Sequence, residues 1–107
     1  MHKYKIIMTR DAIDDLNDIR DYYLLHSTAE SAKKVLGAIQ HRIAQLANFP
    51  NFGSTPPSEW LAEYGYKMVI SGNYAAIYHL YGTEVYIFAV INTQQDYPKL
   101  FERRVQQ

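Results

Sequence analysis

The chain predicts an α+β fold in which an N-terminal strand and a two-helix hairpin pack on a mostly antiparallel sheet, in the order β-α-α-β-β-β. Two patterns lead to that class. Apolar residues recur at three- and four-residue steps from Ala12 to Tyr23 and again from Val35 to Leu46, the period of helices that bury one stripe. The last third of the chain then holds apolar runs of strand length separated by glycine-bearing breaks, as in an antiparallel meander. No repeat or low-complexity segment interrupts the order.

Each element has its own signal. Tyr4 to Met8 is a short apolar run after a charged start, and Thr9 offers a hydroxyl to cap a helix opening on Arg10 and Asp11. In that helix Ala12, Ile13, Leu16, Ile19 and Tyr23 form the apolar stripe, Asp11, Asp14, Asp15, Asp18 and Asp21 form the wet side, and the end falls near His26. Ser27-Thr28-Ala29-Glu30 fits a capping box, with Ser27 accepting from the backbone three residues on and Glu30 reaching back, so a second helix starts at once. Its stripe is Val35, Leu36, Ile39, Ile43 and Leu46, and Phe49-Pro50 closes it because the residue before proline avoids helical geometry. Both helices can cover one sheet face. From Asn51 to Gly65 the chain is a loop stiffened by Pro56-Pro57, in which Ser58 caps a single turn through Trp60 and Leu61. Tyr66 to Ile70, Tyr74 to Tyr81 and Val85 to Ile91 are the remaining strands, turned at Ser71-Gly72-Asn73 and Gly82-Thr83, and the most apolar of them, the last, belongs in the centre of the sheet. The C-terminal KLFERRVQQ is either a short helix or a mobile tail.

Composition narrows the function. A chain of 107 residues makes one domain, residues 1–107, with room for one site or one interface and no separate cofactor domain. Acidic and basic side chains balance at eleven each, which leaves no global basic field to draw nucleic acid or anionic membrane, although a local patch is compatible with that balance. The absence of cysteine removes disulfides, thiolate metal sites and thiol nucleophiles, and fits a reducing compartment. The N-terminal apolar run is too short for a signal peptide, and VYIFAVI falls far short of the roughly 20 residues of a membrane span, so a soluble, cytoplasmic protein is expected.

The polar and aromatic cluster from Asn92 to Tyr97, at the exit of the last strand, is the candidate seat of chemistry, because a meander delivers such residues to a fixed surface position. The same residues also suit plain turn chemistry. Most of the ten tyrosines, Tyr74, Tyr78, Tyr81 and Tyr86 among them, read as half-buried strand aromatics, with Tyr97 the exception. Asp14 and Asp18 read as a solvated acidic face. His2, His26, His41 and His79 lack ligand spacing, and His79 could act as a base only if it faces the cleft.

The ordered set TRDAIDDLNDI, QLANFPNFG, GYKMVI, NYAAIYHLY and VYIFAVINTQQDY resembles the RelE/ParE superfamily of bacterial toxins from type II toxin-antitoxin modules, and the resemblance covers nearly the whole chain. The shared features are an Asp-Leu pair early in the first helix, a Phe-Pro-x-x-Gly stop after the second, a Gly-Tyr-basic start to the sheet and an Asp-Tyr exit. In the ribosome-dependent RNases of that superfamily, the resemblance implies, a 2′-hydroxyl of mRNA attacks the adjacent phosphate with a base, an acid and cationic donors, and no metal or other cofactor is implied. Lys67 holds the basic position and Tyr97 the proton-handling or stacking one; with Asn92 and Gln95 they make a reduced catalytic set.

Two departures bear on that chemistry. The exit that commonly carries several arginines and a histidine is here Ala89-Val90-Ile91-Asn92-Thr93-Gln94-Gln95-Asp96, and Ala75 stands where some RNase members carry a middle-strand arginine. Either cleavage of mRNA on the ribosome uses the reduced set, or the protein acts by binding, as gyrase-poisoning relatives do. The resemblance also implies a cognate antitoxin that wraps the toxin, with Ile7, Tyr22, Leu25 and Trp60 as candidate contacts or, equally, as core closures. A catalytically degenerate member that only engages antitoxin or promoter DNA is the alternative.

Overall fold

The computed structural model describes residues 3–106, and within them the strand-helix-helix order appears as predicted. The elements are β1 (Lys5–Met8), α1 (Arg10–His26), α2 (Ala29–Gln45), α3 (Glu59–Glu63), β2 (Lys67–Ser71), β3 (Tyr74–Tyr81), β4 (Glu84–Asn92) and α4 (Tyr97–Val105). The sheet runs β1-β4-β3-β2, with β1 parallel to β4 and the other neighbours antiparallel. β4 therefore takes the predicted inner position. His2 lies outside the described residues. Among the described residues no helix is long and apolar enough to cross a membrane.

Thr9 caps α1 as its position suggests, and does more. Its Oγ1 accepts from the Ala12 N–H at 3.3 Å and donates to the Ile87 carbonyl at 2.8 Å, so the start of α1 is fastened to β4. The second cap falls one residue later than the capping box predicts. Ser27 ends α1, its N–H bound to the Tyr23 carbonyl, and Thr28, in extended backbone, accepts from the Ser31 N–H at 3.0 Å. Completing the first helix uses Ser27, which leaves Thr28 as the nearest hydroxyl free to start the second.

The end of α2 differs from the expectation too. The helix stops at Gln45 and tightens through Ala47 and Asn48, whose N–H groups bond three residues back, before Phe49-Pro50 is reached. Pro50 serves a different purpose. The hydroxyl of Tyr78, a fully buried residue of β3, donates to the Pro50 carbonyl at 2.8 Å and accepts from the Gly53 N–H at 3.0 Å. A Cβ on Gly53 would lie 2.5 Å from that hydroxyl and 2.6 Å from the Met68 carbonyl. The Phe-Pro-x-x-Gly element is thus a cradle for one buried phenol, and its glycine is required by close approach.

The helical hairpin covers one face of the sheet, where Ile19, Ile39, Ile43 and Leu46 pack against Val69, Tyr78, Val85 and Ile87. The opposite face is covered as well. There Leu61 of α3 and Phe101 of α4 close over Ile77, Ala89 and Ile91, and Ser58 Oγ donates to Glu102 Oε1 at 2.8 Å to tie the two short helices together. KLFERRV is therefore helix rather than tail, anchored by a Phe101 that is 1% exposed.

One irregularity shapes everything beyond it. The β3–β4 register steps from Tyr78↔Ile87 to Ile77↔Ala89, leaving Phe88 as the extra residue of a β-bulge. Past the bulge the alternation of β4 is reset, so that Val90 rather than Ala89 joins the hairpin-side core.

Replacing Tyr78 by Phe removes both hydrogen bonds of the cradle while keeping the ring. We expect a loss of about 1–3 kcal/mol, seen as a lower denaturant midpoint at unchanged m-value. Gly53→Ala should destabilise the protein as well, because backbone as well as side chain would have to move.

Candidate functional site

β1 is four residues long and β4 nine, so their pairing stops at Met8↔Ile87 and the stretch from Phe88 to Asn92, paired with β3 on one side, has no strand beside it on the other. α1 and α4 stand there instead, and between them lies an open groove of roughly 740 Å³. α1 supplies Asp15, Asp18, Ile19, Tyr22 and Tyr23 to its wall; Tyr74, Val90, Ile91 and Asn92 come from the sheet, and Gln94, Gln95, Leu100 and Arg104 from the chain that follows.

The charged centre of this groove is Asp15. Its Oδ2 accepts from the Val90 N–H at 2.9 Å, an amide that the bulge turns away from β3 and that β1 does not reach. Arg104 of α4 binds the same carboxylate with both terminal nitrogens, each at 2.9 Å, and this bidentate bond raises the guanidinium above its ordinary value. The pair is sheltered, Asp15 being 13% and Arg104 33% exposed by side chain. Asp18, one turn further along α1, has no ion-pair partner among the described residues. Burial, with the hydrogen bond of the phenol to Tyr23 as a second cause, pushes Tyr74 up to about 12.

The four residues singled out from sequence do not converge. Asn92 and Gln95 line the groove, but Asn92 shapes the turn after β4: its Oδ1 accepts from the Gln94 N–H at 2.8 Å and its carbonyl from the Gln95 N–H at 3.2 Å. Lys67 pairs across β2–β3 with Tyr78, whose ring belongs to the hairpin-side core, so Lys67 stands on that face. Tyr97 opens α4 on the other face, where its hydroxyl points at Met68 Sδ at 3.6 Å. The sheet lies between these two. Ala75 is fully buried opposite Ile91 and offers the groove no polar group. His79 turns both ring nitrogens to carbonyls, Nδ1 to Leu80 at 2.8 Å and Nε2 to Tyr64 at 2.7 Å, and is not free to serve as a base. Among the described residues no group of three His, Cys, Asp or Glu side chains could hold a metal ion.

Sequence reasoning placed Asp15 on the wet side of α1 and gave Arg104 no role. Spacing held the missing signal: Asp15 follows Ala12 by three residues and precedes Ile19 by four, so it belongs to the buried stripe, and Arg104 follows the buried Phe101 by three. A carboxylate on an apolar stripe requires a partner, and the partner is that arginine.

A helical hairpin on a four-stranded sheet with one parallel edge is the architecture of RelE/ParE-type toxins. The chain belongs to the ParE family: the family described as ParE toxin of type II toxin-antitoxin system, parDE, matches residues 6–97. Among solved structures, the chain is similar to one of the chromosomal ParDE toxin-antitoxin system from P. aeruginosa, with 26% identity and a TM-score of 0.72 over 86% of this chain and 98% of that one. The RelBE2 toxin-antitoxin complex from Mycobacterium tuberculosis shares the fold at 20% identity and a TM-score of 0.62, over 84% of this chain and 98% of its own. Among curated protein sequences none matches. The family match ends at Tyr97, so nearly all of α4, Arg104 included, lies beyond it.

Two measurements check the groove. Asp15→Ala strands the Val90 amide and frees Arg104, at an expected cost of about 1–3 kcal/mol, whereas Arg104→Ala should cost less because Asp15 still caps Val90; denaturant unfolding separates them. In an ultraviolet alkaline titration, Tyr74 should ionise among the last of the phenols, near pH 12. Because its folded value is raised, its contribution to stability is intact below about pH 10 and is lost as pH climbs towards 12.

Proposed function

We propose that this protein is the toxin of a type II toxin-antitoxin pair that arrests growth by binding DNA gyrase, without cleaving RNA, and that a cognate antitoxin neutralises it in the cytoplasm. The observation that carries this reading is that the lining of the groove beside Asp15 holds no cation free to meet a phosphate. Among the groove's lining residues the only guanidinium is already held by Asp15, and Asp18 adds a negative charge with no ion-pair partner among the described residues. An RNase of this kind needs donors to a doubly charged phosphorane, and losing one such donor typically costs about 3–4 kcal/mol of barrier. Asn92 and Gln95 offer only neutral amides, roughly half as strong towards an anion. Lys67 and Tyr97 cannot meet one phosphate across the sheet.

Membership of the ParE family and the two similar toxin-antitoxin structures support the antitoxin. Exposed apolar side chains are available for it: Leu25 is 79% and Tyr22 57% exposed, and an apolar groove of about 500 Å³ runs between α1, α2 and β1 past Ile6, Met8, Ile13, Leu16 and Leu36. Ile7 and Trp60, also candidates from sequence, are half-buried, and Trp60 packs against the α3–α4 core.

The test is induction without antitoxin, followed by primer extension on an abundant transcript and a supercoiling assay of purified gyrase with purified toxin. Arrested growth, intact transcripts and inhibited supercoiling are expected. Toxicity should survive Lys67→Ala and Tyr97→Phe. Site-specific breaks in translated frames, abolished by those substitutions, would instead establish the reduced catalytic set, and soluble folded protein without any growth effect would establish a degenerate antitoxin-binding member.

A further inference from the structure

We infer that the uncovered stretch of β4 beside Asp15 is a docking edge for an extended peptide segment of a protein partner, one that alternates apolar and basic side chains. β1 leaves β4 at Ile87, and past the bulge the backbone groups of Val90 and Asn92 turn away from β3 into the groove. The Val90 N–H is met by Asp15 and the Asn92 carbonyl by Gln95, while the Val90 carbonyl and the Asn92 N–H face the groove with no strand beside them. An inserted carboxylate is a means of keeping an open edge from pairing indiscriminately. Here it guards one amide of an edge that has room for several residues of chain.

The groove also specifies what should enter. Ile19, Tyr23 and Leu100 give apolar contact, and Leu100 is 37% exposed. Among the described residues Asp18 has no ion-pair partner, whereas Asp15 and Arg104 neutralise each other. A strand added along this edge points alternate side chains to opposite sides, so apolar residues meet Ile19 and Leu100 while basic ones reach Asp18. A nucleic acid strand brings phosphates to the same carboxylate and is repelled. The inference concerns this edge alone and stands whether or not gyrase is the target, because its test needs neither toxicity nor gyrase.

The probe is a short capped peptide of alternating valine and lysine, titrated into the purified, isotope-labelled chain and followed by amide chemical shifts, with an alternating valine–glutamate peptide and a single-stranded RNA oligonucleotide as comparisons. The valine–lysine peptide is expected to shift Val90 and Asn92, to bind more weakly as salt rises, and to lose about three- to tenfold in affinity to the surface substitution Asp18→Lys. The glutamate peptide and the RNA should leave those amides unmoved. The proposal fails if no peptide binds, if shifts confine themselves to β1 or the α1–α2 groove, if both peptides bind alike, or if RNA moves the same amides. It fails equally if those amides shift with protein concentration alone, which would make the occupant a second copy of the chain.

Discussion

One carboxylate fixes how the upper half of this molecule is put together. Because β1 ends at Met8 while β4 continues to Asn92, an amide of an inner strand would be left without a partner, at a cost of about 1–3 kcal/mol. Asp15 reaches it from α1. A sheltered carboxylate in turn demands a cation, and Arg104 answers from α4. The position of the last helix is thereby tied to the shortness of the first strand. Phe101 and the Ser58–Glu102 bond hold the same helix from the other side, so α4 bridges both covered faces of the sheet.

Much of this fold is legible in the sequence because local signals agreed with one another. Periodicity found both long helices, the glycine turns found the meander, and hydropathy put β4 inside the sheet. The errors have physical causes. The cap at Thr28 was displaced because Ser27 had already closed the preceding helix, and α2 ended early through a tightening turn rather than through proline. The bulge at Phe88 has no signature in an unbroken apolar run, yet it decides which backbone groups open into the groove. Asp15 and Arg104 are separated by 89 positions, and no local pattern pairs residues so far apart.

The candidate site was legible only in part, for a related reason. Asn92 and Gln95 lie where the sheet exit placed them, whereas Lys67 and Tyr97, which looked equivalent as polar residues flanking strands, sit on opposite faces once register is known. Register is a property of pairing, not of either strand alone. The scaffold of the family is retained, yet the one guanidinium lining the groove is bound by Asp15, so what the groove does follows from its own residues rather than from the fold.

The pairing of β1 with β4 also constrains how the chain comes into being. Thr9 and Ile87, which fasten α1 to the sheet, lie 78 positions apart, so β1 has no partner until β4 is made. The α1–α2 hairpin can form early through local contacts, but its apolar stripe faces nothing until the meander arrives. On the ribosome the molecule therefore stays open through most of its synthesis, with its helical face uncovered. A nascent chain in that condition has neither a closed sheet nor the Asp15–Arg104 clasp: for a member of this toxin family, the period before β4 and α4 emerge is one in which it is present but not yet formed.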